Sequence, residues 1–212
     1  MIAIIDYKAG NLSSVERALK KLDFRCLITQ RREEIMSCER IIFPGVGAAG
    51  RAMSDLKRLG LDEVLRHEYN AGKPILGICL GAQIILERSR ENEAECLGLI
   101  KGSVELFPRQ FFSEEKDRLK IPHMGWNSVN LRKGHPVLEG IAPADEFYFV
   151  HAYYPLPASD EYVFGTTCYG IEFASAIGYN NLIAVQFHPE KSGKAGMRLL
   201  ERFCTWDGRH AE

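Results

Sequence analysis

The sequence predicts an α/β fold: a mixed, mostly parallel central sheet with helices on both faces, joined by a smaller antiparallel sheet in the second half. Over roughly the first 90 residues, short apolar runs alternate with amphipathic helical patterns, the rhythm of a parallel sheet whose crossovers are helices. Beyond about residue 97 the segments become short and rich in β-branched and aromatic residues, separated by Gly, Asn and Pro. No low-complexity linker or internal repeat divides the 212 residues, so one domain over 1–212 is expected.

From the N-terminus, "IAIID" (2–6) reads as a buried strand and "SSVERALKKL" (13–22) as a helix, with Ser13 and Glu16 spaced as an S-x-x-E capping box. "RIIF" (40–43) is a second or third strand, the segment 48–72 supplies one or two helices, and "PILGI" (74–78) is a strand before a helix at 80–90. "LGLIKGSVELF" (97–107), "EFYFVHAYY" (146–154), "YVFGTTCY" (162–169), "IEFASAIGY" (171–179) and "LIAVQFH" (182–188) read as antiparallel additions to the same sheet. "GKAGMRLLERFCTW" (193–206) closes the chain as an amphipathic helix, and the polar run 109–120 reads as an exposed excursion.

The composition narrows the function. A formal net charge of −1 gives no general pull toward nucleic acid or membrane. "MIAIID" is cut by Asp6 far short of a signal-peptide core, and no apolar run of about 18 residues follows, so a cytoplasmic protein is expected. The six cysteines (26, 38, 79, 96, 168, 204) form no C-x-x-C pair and accompany no paired histidine spacing, which predicts no zinc site, no redox motif and reduced thiols, and no cofactor is expected. Most of them are then expected to be packing residues.

"GVGAAG" (45–50) matches the dinucleotide-binding G-x-G-x-x-G after a strand and before a helix. That reading wants an acid at the end of the next strand, and Asp62 and Glu63 instead lie in a helical pattern. A plain tight turn is the second reading.

A third comes from "GICLG" (77–81), a nucleophile elbow G-x-S-x-G with sulfur in place of oxygen. Gly77 and Gly81 leave room for a sharp strand-to-helix turn, and a helix N-terminus behind Cys79 favours a thiolate. Such a nucleophile needs a base. In "VQFHPEK", His188 ends an apolar strand, and in extended chain Glu190 points to the same side, with Pro189 keeping the segment out of helix. Cys79, His188 and Glu190 then form a candidate triad for acyl transfer, with Glu190 fixing the imidazole tautomer. Its oxyanion would be met by the backbone N–H of Leu80 and by the glycine-flanked segment "PGVG" (44–47), through Val46 and Gly47.

"PGVG", "GICLGAQ" and "HPE", in that order over nearly the whole chain, resemble the class I, or triad, glutamine amidotransferases, which cleave the amide of glutamine through a cysteinyl thioester and release ammonia. Within that family, "DYKAGNLSSV", "PHMGWN" (122–127), "YFVHAYY" (148–154) and "FHPEKS" (187–192) are most similar to the glutaminase subunits of imidazole glycerol phosphate synthases. The resemblance implies Cys79 as nucleophile, His188 as base then acid, and Glu190 as orienter. It implies that Gly47, Gln83, Ala152 and Tyr153 hold L-glutamine. Asn11, Trp126, Tyr148 and Lys191 would face a partner, a (β/α)8-barrel cyclase forming a heterodimer with this chain. Three positions depart from the family: Lys8 where glycine is common, Ala82 where methionine is, and Ala152 where serine or threonine is. The excursion 109–120 also looks longer than in the family.

A glutaminase domain would occupy essentially the whole sequence, so the enzyme that consumes the ammonia is expected to be a separate chain. The family precedent makes imidazole glycerol phosphate and aminoimidazole carboxamide ribotide, in histidine biosynthesis. The departures motivate an alternative, an ammonia-supplying paralogue for nucleotide-sugar amination in surface-polysaccharide synthesis. A catalytically silent binding subunit that keeps the triad residues as packing is the rival from another class.

Overall fold

In a computed structural model of the chain, residues 1–8, 10–108 and 119–209 are described. The polar excursion, apart from Leu119 and Lys120, lies outside the described residues. The first half runs β1 (Ile2–Ile5), α1 (Leu12–Lys21), β2 (Cys26–Thr29), α2 (Arg32–Ser37), β3 (Arg40–Gly45), α3 (Ala49–Leu59), α4 (Leu61–Asn70) and β4 (Ile75–Cys79). A short α5 (Leu80–Ile84) follows, then β5 (Arg88–Ser89), β6 (Ala94–Glu95), β7 (Gly102–Leu106), β8 (His123–Ser128) and β9 (Asn130–Leu131). The chain ends through β10 (Glu146–His151), β11 (Tyr153–Pro157), β12 (Val163–Tyr169), β13 (Ile171–Tyr179), β14 (Leu182–Val185) and α6 (Gly193–Thr205).

Among the described residues the largest sheet has eight strands in the order β2-β1-β3-β4-β14-β13-β12-β9; β11-β7-β5-β6 form a smaller sheet and β10-β8 a two-stranded ribbon. The strands from β2 to β14 in that order are parallel, and β13, β12 and β9 continue antiparallel. Strands β1, β4 and β14 are buried at every residue, which is why they read as unbroken apolar runs. Alternate residues of β1 feed two cores: Ala3 and Ile5 join Phe43, Leu56 and Leu65 on the α3–α4 side, while Ile2 and Ile4 join Leu19, Phe149, Phe187 and Leu199 on the α1–α6 side.

Several expectations are corrected. Strand β14 is not an antiparallel addition to its parallel neighbours; it pairs with β4 in parallel, Val185 opposite Ile78, and sits mid-sheet. Helix α1 starts at Leu12 with Asn11 as its left-handed N-cap and with no side-chain capping bond, so the Ser13–Glu16 box does not form. Glu16 instead pairs with Lys20 at 2.8 Å. The helix expected at 80–90 stops at Ile84, because the carbonyls of Ile84, Ile85 and Leu86 accept from the N–H groups of Leu97, Leu99 and Gly98 at 2.7–2.8 Å. Strand β2 and helix α2, unassigned from sequence, have a half-buried strand and a six-residue helix, too weakly patterned to stand out.

Candidate active site

The parallel strands β3, β4 and β14 end side by side, and the chemistry sits where they end, as is general for open α/β sheets. At the end of β4, Cys79 adopts φ 55° and ψ −108°, a conformation a non-glycine residue holds only where its surroundings impose it, and α5 starts at the next residue. This is the geometry of a nucleophile elbow. The expected glycines are required by close approach: a Cβ on Gly81 would lie 1.9 Å from the Phe43 carbonyl oxygen, and one on Gly77 2.8 Å from the Ala184 Cβ. With five residues, α5 carries a weak dipole, so the groups that meet the sulfur are side chains and one carbonyl rather than the helix.

His188 follows β14 and is 2 % exposed. Its Nδ1 lies 2.8 Å from Glu190 Oε1. Its Nε2 is buried and makes no hydrogen bond among the described residues, and the nearby Cys79 acts on it through its charge. Burial pulls the imidazole down, but the charge of nearby Cys79 and the hydrogen bond and charge of Glu190 outweigh burial and raise its pKa from 6.5 to about 9. The contact expected between His188 and Glu190 is present, though not by extended chain: Pro189–Lys191 is a 3-10 turn with Pro189 in its first position, where its missing N–H costs nothing. Ser192 locks this turn, donating to the His188 carbonyl at 2.6 Å and accepting from Tyr148 N–H at 3.0 Å.

Glu190 Oε1 also accepts from Asn11 Nδ2 at 2.8 Å. The Asn11 amide that was available to cap α1 is thus spent on the triad carboxylate. Lys8, the departure from glycine, has φ 69°, which explains why glycine suits that position.

A cavity of about 340 Å³ opens beside the sulfur, lined by Val46, Gly47, Leu80, Gln83, Ala152 and Tyr153 among others. All the residues expected around glutamine or its oxyanion are therefore gathered here. Gly47 has φ 102° with open space around it, and Val46 is 38 % exposed. Gln83, expected to hold substrate, has both amide hydrogens committed within the protein, to the Tyr153 carbonyl at 2.9 Å and to Gln186 Oε1 at 3.0 Å. What it can offer the cavity is its carbonyl oxygen.

Sequence reasoning missed Glu91, Gln186 and a histidine pair. Glu91 is the one acid among the cavity-lining residues, and its Oε2 accepts from Ala49 N–H, the start of α3, at 2.7 Å. The pair packs at the cavity, which His151 helps to line: His151 Nδ1 donates to the Tyr153 carbonyl at 2.8 Å, so its Nε2 must accept, from His123 Nδ1 at 3.0 Å. Burial pushes His123 down to about 4 and His151 to about 3, so both stay neutral. The only signal for Gln186 was one polar residue in an apolar run just before His188.

On the outside of the ribbon, Met124, 62 % exposed, and Trp126, 53 % exposed, share a face with Tyr148. Trp126 and Tyr148 form an edge-to-face pair with ring centroids 6.1 Å apart, and Lys191 Nζ lies 5.7 Å from the Tyr148 ring centroid. Tyr148 joins this face to the triad, its carbonyl accepting from His188 N–H at 2.9 Å.

Asp62 and Glu63 open helix α4, which leaves the dinucleotide motif without its acid. All six cysteines are free; Cys38, Cys79, Cys96 and Cys204 are buried, but Cys168 is exposed and so is not the packing residue expected. Among the described residues, no cluster of three or more His, Cys, Asp or Glu could hold a metal ion, and no helix is long and apolar enough to cross a membrane.

The chain belongs to the class-I glutamine amidotransferase family, whose model matches residues 3–205, and it brings an elbow cysteine, a buried histidine–glutamate pair and a cavity together at the strand ends. It shares its fold with PurLQS from Thermotoga maritima, with a TM-score of 0.73 at 16% identity, covering 95% of this chain and 96% of that one. It is 52% identical to imidazole glycerol phosphate synthase subunit HisH of Nitratidesulfovibrio vulgaris strain DP4, over 97% of each chain. It is 48% identical to the HisH subunit of Desulfovibrio desulfuricans over the full length of both, and 44% to that of Pseudomonas savastanoi pv. phaseolicola over 98% of each. Within the class, this places the chain in the HisH family.

Proposed function

We propose that the protein is a single-domain glutaminase that hydrolyses L-glutamine to glutamate and ammonia through a thioester on Cys79, and that it delivers the ammonia to a separate (β/α)8-barrel cyclase in histidine biosynthesis. The observation that carries the chemistry is the Cys79–His188–Glu190 arrangement beside an acid-containing cavity. Glutamine lies with its α-ammonium toward Glu91 and its carboxamide against the sulfur. With the thiol proton already on His188, the Sγ thiolate bonds to the amide carbon, and the oxygen's growing negative charge is met by Leu80 N–H and by a reoriented peptide at Val46–Gly47. His188 returns the proton to nitrogen, the C–N bond breaks and ammonia leaves. His188 then deprotonates a water that attacks the thioester and releases glutamate. Ala152 and Tyr153 hold the substrate through backbone groups, since Ala152 has no hydroxyl to offer.

Full-length similarity to HisH subunits favours the histidine branch over sugar amination. A partner is further supported by the exposed Met124–Trp126–Tyr148 face, since large apolar side chains grouped in this way commonly mark a docking surface. Trp126, Tyr148 and Lys191 would make that contact, and Asn11, beside the triad, would lie at its edge. In the heterodimer the pair acts as a lyase that forms imidazole glycerol phosphate and aminoimidazole carboxamide ribotide. Six free thiols suit the reducing cytoplasm.

The test is glutamate release by the purified chain, alone and with a histidine-pathway cyclase carrying its nucleotide ligand, with Cys79→Ala as blank. Strong stimulation by that cyclase is expected. Cys79-dependent hydrolysis without stimulation would overturn the histidine-pathway assignment, and none under either condition would overturn the glutaminase reading.

A further inference from the structure

Gln186 lies between β14 and His188, is fully buried, and has no part in the triad as described above. Its Nε2 stands 3.7 Å from the Cys79 sulfur, within reach of an N–H···S hydrogen bond. The nitrogen and oxygen of a glutamine amide are interchangeable by shape, so its orientation has to be fixed by its neighbours. Here they fix it. Gln83 Nε2 meets two oxygens, the Tyr153 carbonyl at 2.9 Å and Gln186 Oε1 at 3.0 Å. The Tyr153 carbonyl can only accept, so Gln83 must present its NH₂ group, and Gln186 must answer with oxygen. The Gln186 NH₂ is then left facing Sγ. The Tyr153 carbonyl is itself held from the other side by His151 Nδ1 at 2.8 Å, so the chain of amides is anchored at its far end.

On its other flank the sulfur lies 4.0 Å from the Val150 carbonyl, an acceptor for the thiol proton. The nucleophile thus sits between an acceptor that suits S–H and a donor that suits S⁻.

We propose that Gln186 is a catalytic hydrogen-bond donor to the Cys79 thiolate, held in that orientation by Gln83. The donor holds the sulfur's charge and direction once the proton has moved to His188. It also gives Gln83 a role distinct from substrate contact. The proposal rests on the glutaminase reading for its reaction, but its central observable is the reactivity of Cys79 itself.

The experiment compares wild type with Gln186→Met, which keeps the length of the side chain and removes the donor. The rate of Cys79 alkylation by iodoacetamide is followed by mass spectrometry of the Cys79 peptide, so that the exposed Cys168 does not interfere, beside kcat and KM for glutamine in the cyclase complex. Loss of one donor to a charged sulfur, partly offset by the greater intrinsic nucleophilicity of a less stabilised thiolate, is expected to lower alkylation and kcat each by roughly three- to tenfold, with KM within about twofold. Gln83→Met, which frees the Gln186 amide to rotate, should lower alkylation as well and in addition raise KM.

A folded Gln186→Met protein that alkylates at the wild-type rate would overturn the proposal, as would a rise in KM with alkylation unchanged. If that variant does not fold, wild-type alkylation in Gln83→Met overturns it equally. Gln186-dependent alkylation in a wild-type protein that hydrolyses no glutamine would sustain the donor and sink the glutaminase reading. Hydrolysis with alkylation indifferent to Gln186 would do the reverse.

Discussion

The two halves of the catalytic pocket are built in opposite ways. On one side Cys79, His188, Glu190 and Gln186 are buried, Gln186 bonded to Cys79 and His188 to Glu190, and the histidine–glutamate pair is held in turn by Asn11, Ser192 and Tyr148. On the other, the Val46–Gly47 segment is partly exposed, and Gly47 holds φ 102° with open space around it. The difference separates two tasks. The nucleophile and base must be set before substrate arrives, because misplacement there costs rate directly. On the proposed mechanism the oxyanion donor is the part left free to move, which would let a partner gate the reaction without disturbing the triad.

The rigid half should fail most severely. Cys79→Ala is expected to lose on the order of 10⁶-fold in kcat, as for a triad nucleophile, with the protein still folded; a smaller loss measured by glutamate release would mean another group attacks. Glu190→Gln should cost about 10⁴-fold, the effect of losing the carboxylate that orients a triad imidazole. It also has a stability signature. His188 is raised from 6.5 to about 9, so its contribution is fully present below pH 6.5 and fades as pH rises through about 9. The Tm deficit of Glu190→Gln should therefore be largest at or below pH 6.5 and shrink toward pH 9; a deficit independent of pH would detach His188 from Glu190.

The mobile half should fail differently. Gly47→Ala meets no clash, but it places a side chain at a positive φ, at a cost of about 1 kcal/mol in stability. We expect partner-stimulated turnover to fall roughly tenfold or more while Cys79 alkylation stays normal; equal losses in both would show that the two halves are not independent. Trp126→Ala should weaken cyclase binding by about 2 kcal/mol, roughly thirtyfold in Kd, with unstimulated hydrolysis unchanged. Asn11→Ala removes one of two hydrogen bonds to Glu190 Oε1 and should cost about tenfold in kcat.

Several features were legible in the amino-acid sequence. The buried parallel strands read as apolar runs because both their faces are covered. The elbow was legible because only glycine fits at Gly77 and Gly81, and the triad because His188 and Glu190 are neighbours in the chain. What the sequence could not disclose depends on contacts between distant residues. Asn11, matched by resemblance to a partner-facing position, gives no sign of the triad in the sequence, and only the fold carries it 179 positions to Glu190. Gln186 looks like a stray polar residue at a strand end, and its direction is settled by Gln83, 103 positions away. Helix α5 stops at Ile84 because residues 97–99 claim the carbonyls of Ile84, Ile85 and Leu86. Local rules of backbone geometry therefore determined where the nucleophile must stand. Tertiary packing alone decided which buried polar groups meet it, because a buried donor has to find its acceptor wherever the fold places one.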